Sequence, residues 1–397
     1  MDELGAILEA WREFRGPDRE AVLATVVHVT GSAYRRPGAR MLLVPDGRRI
    51  GTVSGGCLEG DIARKAWWFT GSGEPVVKVY DTTSDDEAVW EFGLGCNGVV
   101  HVLLERIANP SSREMLEFLD RARRSAGNAV VATVVRCRPE TIVRTGQRLL
   151  MRDGEPVGGD LAHSLAAAAL SPHIRDAART RQSCYVHPSE PGLAGAEVFV
   201  EFVPRPQDLV VFGAGHDAIP VVEMAAALGW RVTVADGRPD YATPQRFPRA
   251  TRVTVVRPSD PLDGIAITPE TAVVMMTHSY PFDRGVLPVV VARQPRYIGL
   301  LGPSARAERL LRETGIPRPA SLYAPVGLDI GCETPAAIAV AIIAEIQAVV
   351  HGRRGGMLNG RSTSIHSPVL ETGTPAAMRA ADVARPAYCE TLVGSHA

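Results

Sequence analysis

"LVVFGAGHDAIP", residues 209–220, decides how the second half of this chain is read. The β-branched and aromatic run Leu209–Phe212 stops at Gly213. Gly215 and Ala218 follow at G-x-G-x-x-A spacing, and an apolar helical pattern then runs through "VVEMAAALG" (221–229). Glycines there let the chain turn tightly out of a strand and bring unpaired N–H groups of a helix start close to an anion. The next β run, "RVTVADG" (231–237), ends in Asp236, where a dinucleotide fold places the acid that accepts from a ribose hydroxyl. The alternation continues through "TRVTVVRP" (251–258), "TAVVMMTHS" (271–279) and "RYIGLLG" (296–302). Strands alternating with helical stretches predict a parallel sheet with helices on both faces, a Rossmann-like domain over 208–352. The fold leaves open what the turn holds: NAD(P), or another anionic ligand at the same helix start.

Other polar groups fall at the predicted strand ends, where such sheets bind ligands. His216 directly follows the second glycine and suits either a phosphate or pterin-like group or a helix cap. His278 ends the fourth strand, and a pair with Asp283 would suit acid–base work, because imidazole titrates near neutrality. Ser304 opens a helix after another glycine turn. Cys332 and Glu333 precede the last helix (334–352), whose apolar composition predicts burial, with Thr334 as cap and Pro335 at its first position. Gly213, Gly215, His216, Asp236, His278 and Glu333 are therefore candidate binding residues on one side of the sheet. Residues 354–397 lack periodicity and are expected to form a poorly ordered tail.

Pro204 and Pro206 punctuate a linker, and an αβ domain over 1–203 precedes it. Its opening helix is expected near 2–14, strands at 21–29, 75–81 and 98–107, a hairpin around "PDG" (45–47), and a helix over 59–69. The pattern then recurs: "VVATVV" (130–135) matches "VLATVV" (22–27), and strand, D-G turn, strand, glycine and helix follow again. Residues 21–107 and 129–205 read as two degenerate copies. "SGGC" (54–57) has no counterpart in the second copy and reads as an insert there. A structural turn should survive in both copies, whereas a site needs only one, so Ser54, Gly55, Gly56 and Cys57 become candidates. Cys57 lies before a helix start, which stabilises a thiolate. Cys96 in "FGLGCNG" (92–98) is a second glycine-flanked thiol, and Arg40, in "GSAYRRPGARM" (31–41) with Arg35 and Arg36, is a candidate cation for a phosphate or carboxylate.

The chain has 397 residues, a formal net charge of −1 and 45% hydrophobic residues. That length predicts at least two domains, and that charge gives no field favouring nucleic acid or anionic lipid. No apolar run approaches the ~18 residues of a membrane span, and the N-terminus lacks the basic, apolar pattern of a signal peptide. Six scattered cysteines without C-x-x-C argue against a disulfide framework or structural zinc and for a reducing cytoplasm.

Taken in order, "GSAYRRPGARMLLV", "GTVSGGCLEGDI", "GLGCNG", "VVFGAGHDAIPVVEMAAALGWRVTVAD", "MTHSYPFD", "YIGLLGP" and "GLDIGCETPAAIAVAIIAEI" resemble the XdhC/CoxI family, accessory proteins of molybdenum hydroxylases such as xanthine dehydrogenase and carbon monoxide dehydrogenase. The resemblance covers roughly residues 1–352. It implies a chaperone that binds molybdenum cofactor, a molybdopterin with a phosphate arm, protects it while a cysteine desulfurase supplies sulfur, and delivers it to an apo-hydroxylase. It singles out Cys57 and Cys96. Two departures stand out: Asn97 replaces an expected glycine, and Cys332 an expected alanine. Competing readings are an NAD(P)-dependent oxidoreductase with His278 as acid–base, and a nucleotide-sensing module. A homodimer is expected, since two-fold dimers are the commonest oligomers.

Overall fold

The computed structural model describes residues 2–14, 16, 20–31, 33–56, 58–81, 98–125, 127–257, 259–362 and 369–372. Cys57 and Cys96 lie outside the described residues. The chain divides into two compact units, one of residues 6–205 with 367–397, the other of residues 1–5 with 206–366.

The first unit holds two sheets built alike. In one, β1 (Val22–Gly31), β2 (Arg40–Leu43), β3 (Arg49–Gly51), β4 (Val76–Asp81) and β5 (Gly98–Arg106) lie in the order β3-β2-β1-β5-β4. In the other, β6 (Ala129–Arg136), β7 (Arg148–Arg152), β8 (Glu155–Gly158), β9 (Cys184–Val186) and β10 (Glu197–Val203) lie in the matching order β8-β7-β6-β10-β9. Helix α2 (Glu59–Phe69) buries Ile62 and Ala66 against one face of the first sheet. The equivalent helix α4 (Leu165–Thr180) buries Leu170 and Ile174 against the second. The repeat also includes a helix ahead of each first strand, α1 (Glu3–Phe14) before β1 and α3 (Pro110–Arg124) before β6. These two helices lie outside the copies as the sequence delimits them.

Equivalent positions keep one constant spacing through each copy's first strand, hairpin and helix: Gly38 with Gly146, Arg40 with Arg148, Gly51 with Gly159, Ile62 with Leu170. "SGGC" is therefore no insert. Ala162-His163-Ser164-Leu165 stands at the same place in the second copy, so the difference is one of residue type at a conserved length.

The copies meet through their remaining faces. Val27, Leu103 and Val77 of one copy join their counterparts Val135, Phe199 and Tyr185 of the other in one apolar cluster. Two ion pairs flank it reciprocally. Arg40 Nη1 and Nη2 donate to Glu201 at 2.8 and 2.5 Å, while Arg148 Nη2 donates to both oxygens of Glu105 at 2.6 and 2.7 Å. Each arginine also donates to a carbonyl two residues back, that of Gly38 or Gly146. Contacts exchanged in this way define an approximate internal two-fold, as at an isologous dimer interface.

Within the tail, Leu370–Thr372 forms β17, which pairs in parallel with β9. The sequence gives no sign of it because three residues carry too little period to read.

The second unit is doubly wound. Its strands β11 (Asp208–Phe212), β12 (Arg231–Asp236), β13 (Arg252–Val255), β14 (Ala272–Met275), β15 (Tyr297–Leu300) and β16 (Leu322–Tyr323) are all paired in parallel, in the order β13-β12-β11-β14-β15-β16. Helices α5 (Ala218–Ala227) and α8 (Pro335–Val350) cover one face. Helices α6 (Tyr280–Ala292) and α7 (Ser304–Thr314) cover the other. The strand order reverses between β11 and β14, which places a ligand crevice at the C-terminal ends of those strands. The last helix is less buried than its composition predicts. Ala339, Ala341, Ile342, Ile343 and Ile346 are in the core, while Pro335, Ala336 and Val340 are exposed.

Candidate functional site

At the reversal point, Gly213 leaves β11 with φ +116, and a Cβ there would strike the Met276 carbonyl. Glycine is required both for that backbone angle and for the approach of the neighbouring strand end. The turn is then tied to β12. Asp236 Oδ2 accepts from the Ala214 N–H at 2.7 Å and from Arg238 Nη2 at 2.8 Å, while Oδ1 accepts from the Arg238 N–H and Nε at 2.9 and 3.0 Å. Burial alone would raise the Asp236 carboxyl, but these donors outweigh it and hold the group below the usual carboxylate range. Asp236 thus stands where the sequence places it, with both oxygens engaged within the protein.

The helix start is also partly furnished. Asp217, at the N-cap of α5, sits 2.7 Å from His278 Nε2. His278 adopts φ +55, an uncommon angle for a residue with a side chain, and is 63% exposed at the end of β14. The expected His278–Asp283 pair does not form. Asp283 is fully buried, accepts from Thr277 Oγ1 at 2.6 Å and lies 2.8 Å from Arg306 Nη2. Its place on the buried face of the first turn of α6 commits it to the core, and the turn residue Asp217 takes its place beside the imidazole. Gly215 is held open by the same pair, since its missing Cβ faces Asp217 and, at 3.9 Å, His278. His216 is exposed. Glu333 is exposed just before α8, and Cys332 Sγ donates to the Ala337 carbonyl at 3.0 Å. The structure brings Gly213, Gly215, Asp217, Asp236 and His278 together.

In the other unit, the Ser54–Gly56 turn is built by α2 itself. Glu59 Oε1 accepts from the Val53 and Ser54 N–H groups at 3.1 and 2.8 Å, and Oε2 from the Ser54 hydroxyl. Ser54 Oγ in turn accepts from the N–H groups of Gly56 and Leu58 at 3.2 and 3.1 Å. Burial opposes ionisation of Glu59, yet its donors outweigh burial and hold its carboxyl below the ordinary range. Ser54 and Glu59 are buried, whereas Gly55 and Gly56 are exposed, with φ +114 at Gly56. The Tyr34 ring, itself 68% exposed, lies over Gly55, 3.5 Å from where a Cβ would stand. The turn can thus offer backbone beside an aromatic face, on a frame its own acid fixes.

Arg40 is a correction. Its sequence setting suggests a ligand's cation, but it is buried, with both Nη atoms on Glu201. The partner lies in the other copy, and no local pattern announces it. Sequence reasoning also misses Asp217, Glu59 and Arg238. Each carries a usable signal: an acid directly inside the glycine turn, an acid in the first turn of a helix after S-G-G, and a basic residue next but one after the strand-end acid.

Comparison with known proteins gives a consistent set of relatives. Residues 209–346 match the model described as the XdhC Rossmann domain, and residues 15–81 that of the XdhC and CoxI family. A Bacillus subtilis protein, named as a probable component of xanthine dehydrogenase, is 34% identical over 335 residues, 82% of this chain and 92% of the relative. The Escherichia coli molybdenum cofactor insertion chaperone PaoD is 26% identical, over 83% of each chain. A solved Bacillus halodurans structure described as a xanthine dehydrogenase superposes with a TM-score of 0.72 at 30% identity, over 89% of this chain and 97% of the other. With the same two kinds of unit, matched along nearly their whole length, this chain belongs to the XdhC and CoxI family.

Proposed function

We propose that this protein is an accessory factor that binds molybdenum cofactor as cargo, shields it while sulfur is added, and delivers it to an apo-molybdenum hydroxylase of the xanthine dehydrogenase or carbon monoxide dehydrogenase kind. The observation that carries the reading is the relative named a molybdenum cofactor insertion chaperone, which aligns with 83% of this chain and so spans both units. Two features of this chain suit such cargo. The Gly55–Gly56 turn offers exposed, side-chain-free backbone beside the Tyr34 ring, a surface on which a flat pterin can stack. The start of α5 offers an anion-friendly end. Cys57 and Cys96 are the thiols assigned to the cargo, and a cysteine desulfurase and a second copy of this chain are the proposed partners beside the hydroxylase. The role is binding and transfer, without turnover.

A nicotinamide oxidoreductase is the second reading, favoured by the strand–glycine–helix geometry. It is the weaker one, because the acid meant for the ribose already accepts from Ala214 and Arg238. The test is a titration of the purified protein with molybdenum cofactor, followed by transfer to apo-hydroxylase. Stoichiometric binding, loss of retention in Cys57→Ser at unchanged Tm, and restored hydroxylase activity are expected. Failure to bind or to transfer overturns the proposal.

A further inference from the structure

At the C-terminal end of β12, two guanidinium groups lie against one phenol ring. Arg238 Cζ is 3.9 Å and Arg246 Cζ 4.7 Å from the centre of the Tyr241 ring. Their charges are not balanced alike. Arg238 is held by Asp236 through two side-chain hydrogen bonds. The Arg246 side chain has no hydrogen-bond or ion-pair partner among the described residues, and its Nη2 is buried. Removing a polar donor from water without an acceptor is unfavourable, and more so for a charged group. Two like charges against one ring also repel. A bound anion would remove both penalties.

The position gives that anion an identity. In a Rossmann sheet the end of the second strand faces the ribose end of the ligand. The acid that elsewhere reads a free ribose diol is here committed to Arg238 and the Ala214 N–H, so the crevice presents a cation at that end. Guanidinium donors match phosphate oxygens in a planar fork.

We infer that Arg246, with Arg238 and the Tyr241 ring beside it, receives a phosphomonoester on a ligand lying along the Gly213–Asp217 turn. Two ligand classes carry that group: a nucleoside phosphorylated on its ribose, and a pterin with a phosphate arm. In its pterin form the inference rests on the proposed delivery role and deepens it; in its nucleotide form it is independent of that role.

Isothermal titration of the full-length protein tests it. The probes are adenosine 2′,5′-bisphosphate, adenosine 5′-monophosphate, and molybdopterin released anaerobically from a molybdoenzyme. The variants are Arg246→Gln, Arg246→Lys and Tyr241→Phe, each checked by its thermal melt. Of two of these probes, adenosine 2′,5′-bisphosphate and molybdopterin, at least one should bind; if it is the bisphosphate, it should bind more tightly than the 5′-monophosphate, which lacks the ribose 2′-phosphate. Arg246→Gln should weaken that probe about ten-fold, the scale of one lost charge-assisted contact. Arg246→Lys should lose less, and Tyr241→Phe, which keeps the ring, should lose little. Whichever probe shows the Arg246 dependence names the source. The proposal is overturned if neither probe binds, or if the bound one is indifferent to both Arg246 variants. Should Arg246→Gln fail to fold, Arg246→Lys alone decides, through loss of the fork at retained charge.

Discussion

Arg40 illustrates how a ligand-like residue becomes a structural one. Its guanidinium donates to both oxygens of Glu201 and to the Gly38 carbonyl in a seam closed to water. Removing it would leave the Glu201 carboxylate without its buried counter-ion, which typically costs about 3–5 kcal/mol. Arg40→Ala should therefore lower the stability measured by urea unfolding by that much. The double change Arg40→Met with Glu201→Leu should recover most of the loss, because an apolar pair carries no stranded charge. If the single change costs under about 1 kcal/mol, the pair is not holding the seam. Arg148 with Glu105 should behave alike. Asp236 is committed in a comparable way. Asp236→Asn removes an acceptor from a ring of donors and should cost on the order of 1–3 kcal/mol. Because the folded Asp236 carboxyl is depressed, its contribution is present above the ordinary aspartate pKa and is lost as pH falls through the lower folded value.

Among the elements, the Ser54–Gly56 turn separates what builds a site from what serves it. Ser54 Oγ holds the Gly56 and Leu58 N–H groups, so Ser54→Ala should free both. Hydrogen exchange at those two amides should then accelerate about five- to thirty-fold, matching ~1–2 kcal/mol of lost local stability. Unchanged exchange would mean that Glu59 alone sets the turn. Legibility in the sequence follows the same division. Five Rossmann strands are readable because each contains a short apolar or β-branched run between turn residues, the pattern a parallel sheet with helices on its faces favours. The two-residue β16 is not, and neither is the kinship of α1 with α3, since amphipathic helices share a period rather than residues. Within the site, Gly213, Gly215 and Asp236 are legible because backbone geometry fixes their residue types. The partner of His278 is not. Asp217 reaches it across the strand-order reversal, a contact that only the fold creates.

At the scale of the whole first unit, the internal two-fold sets a pH limit. On the seam, the His28 ring meets His101 edge-on at 5.0 Å and Tyr185 at 4.7 Å. Burial first, then the neighbouring charges of His28 and Arg136, brings the His101 imidazole down to about 4. His28 is lowered too, chiefly by burial, against the opposing pull of Glu197 and Glu371. Both rings are therefore neutral in the folded protein at a pH where an unfolded histidine, with its ordinary value near 6.5, already takes a proton. The unfolded state then binds more protons, so stability falls as pH drops through the window from about 6.5 to about 4. His101 alone accounts for up to roughly 3 kcal/mol across that window. The expected result is a stability–pH curve, from urea unfolding at successive pH values, that slopes steeply there in the wild type and more gently in His101→Gln. A variant curve parallel to the wild type would place the acid sensitivity in the carboxylates, Asp236 and Glu59 among them, rather than in the joint between the two copies.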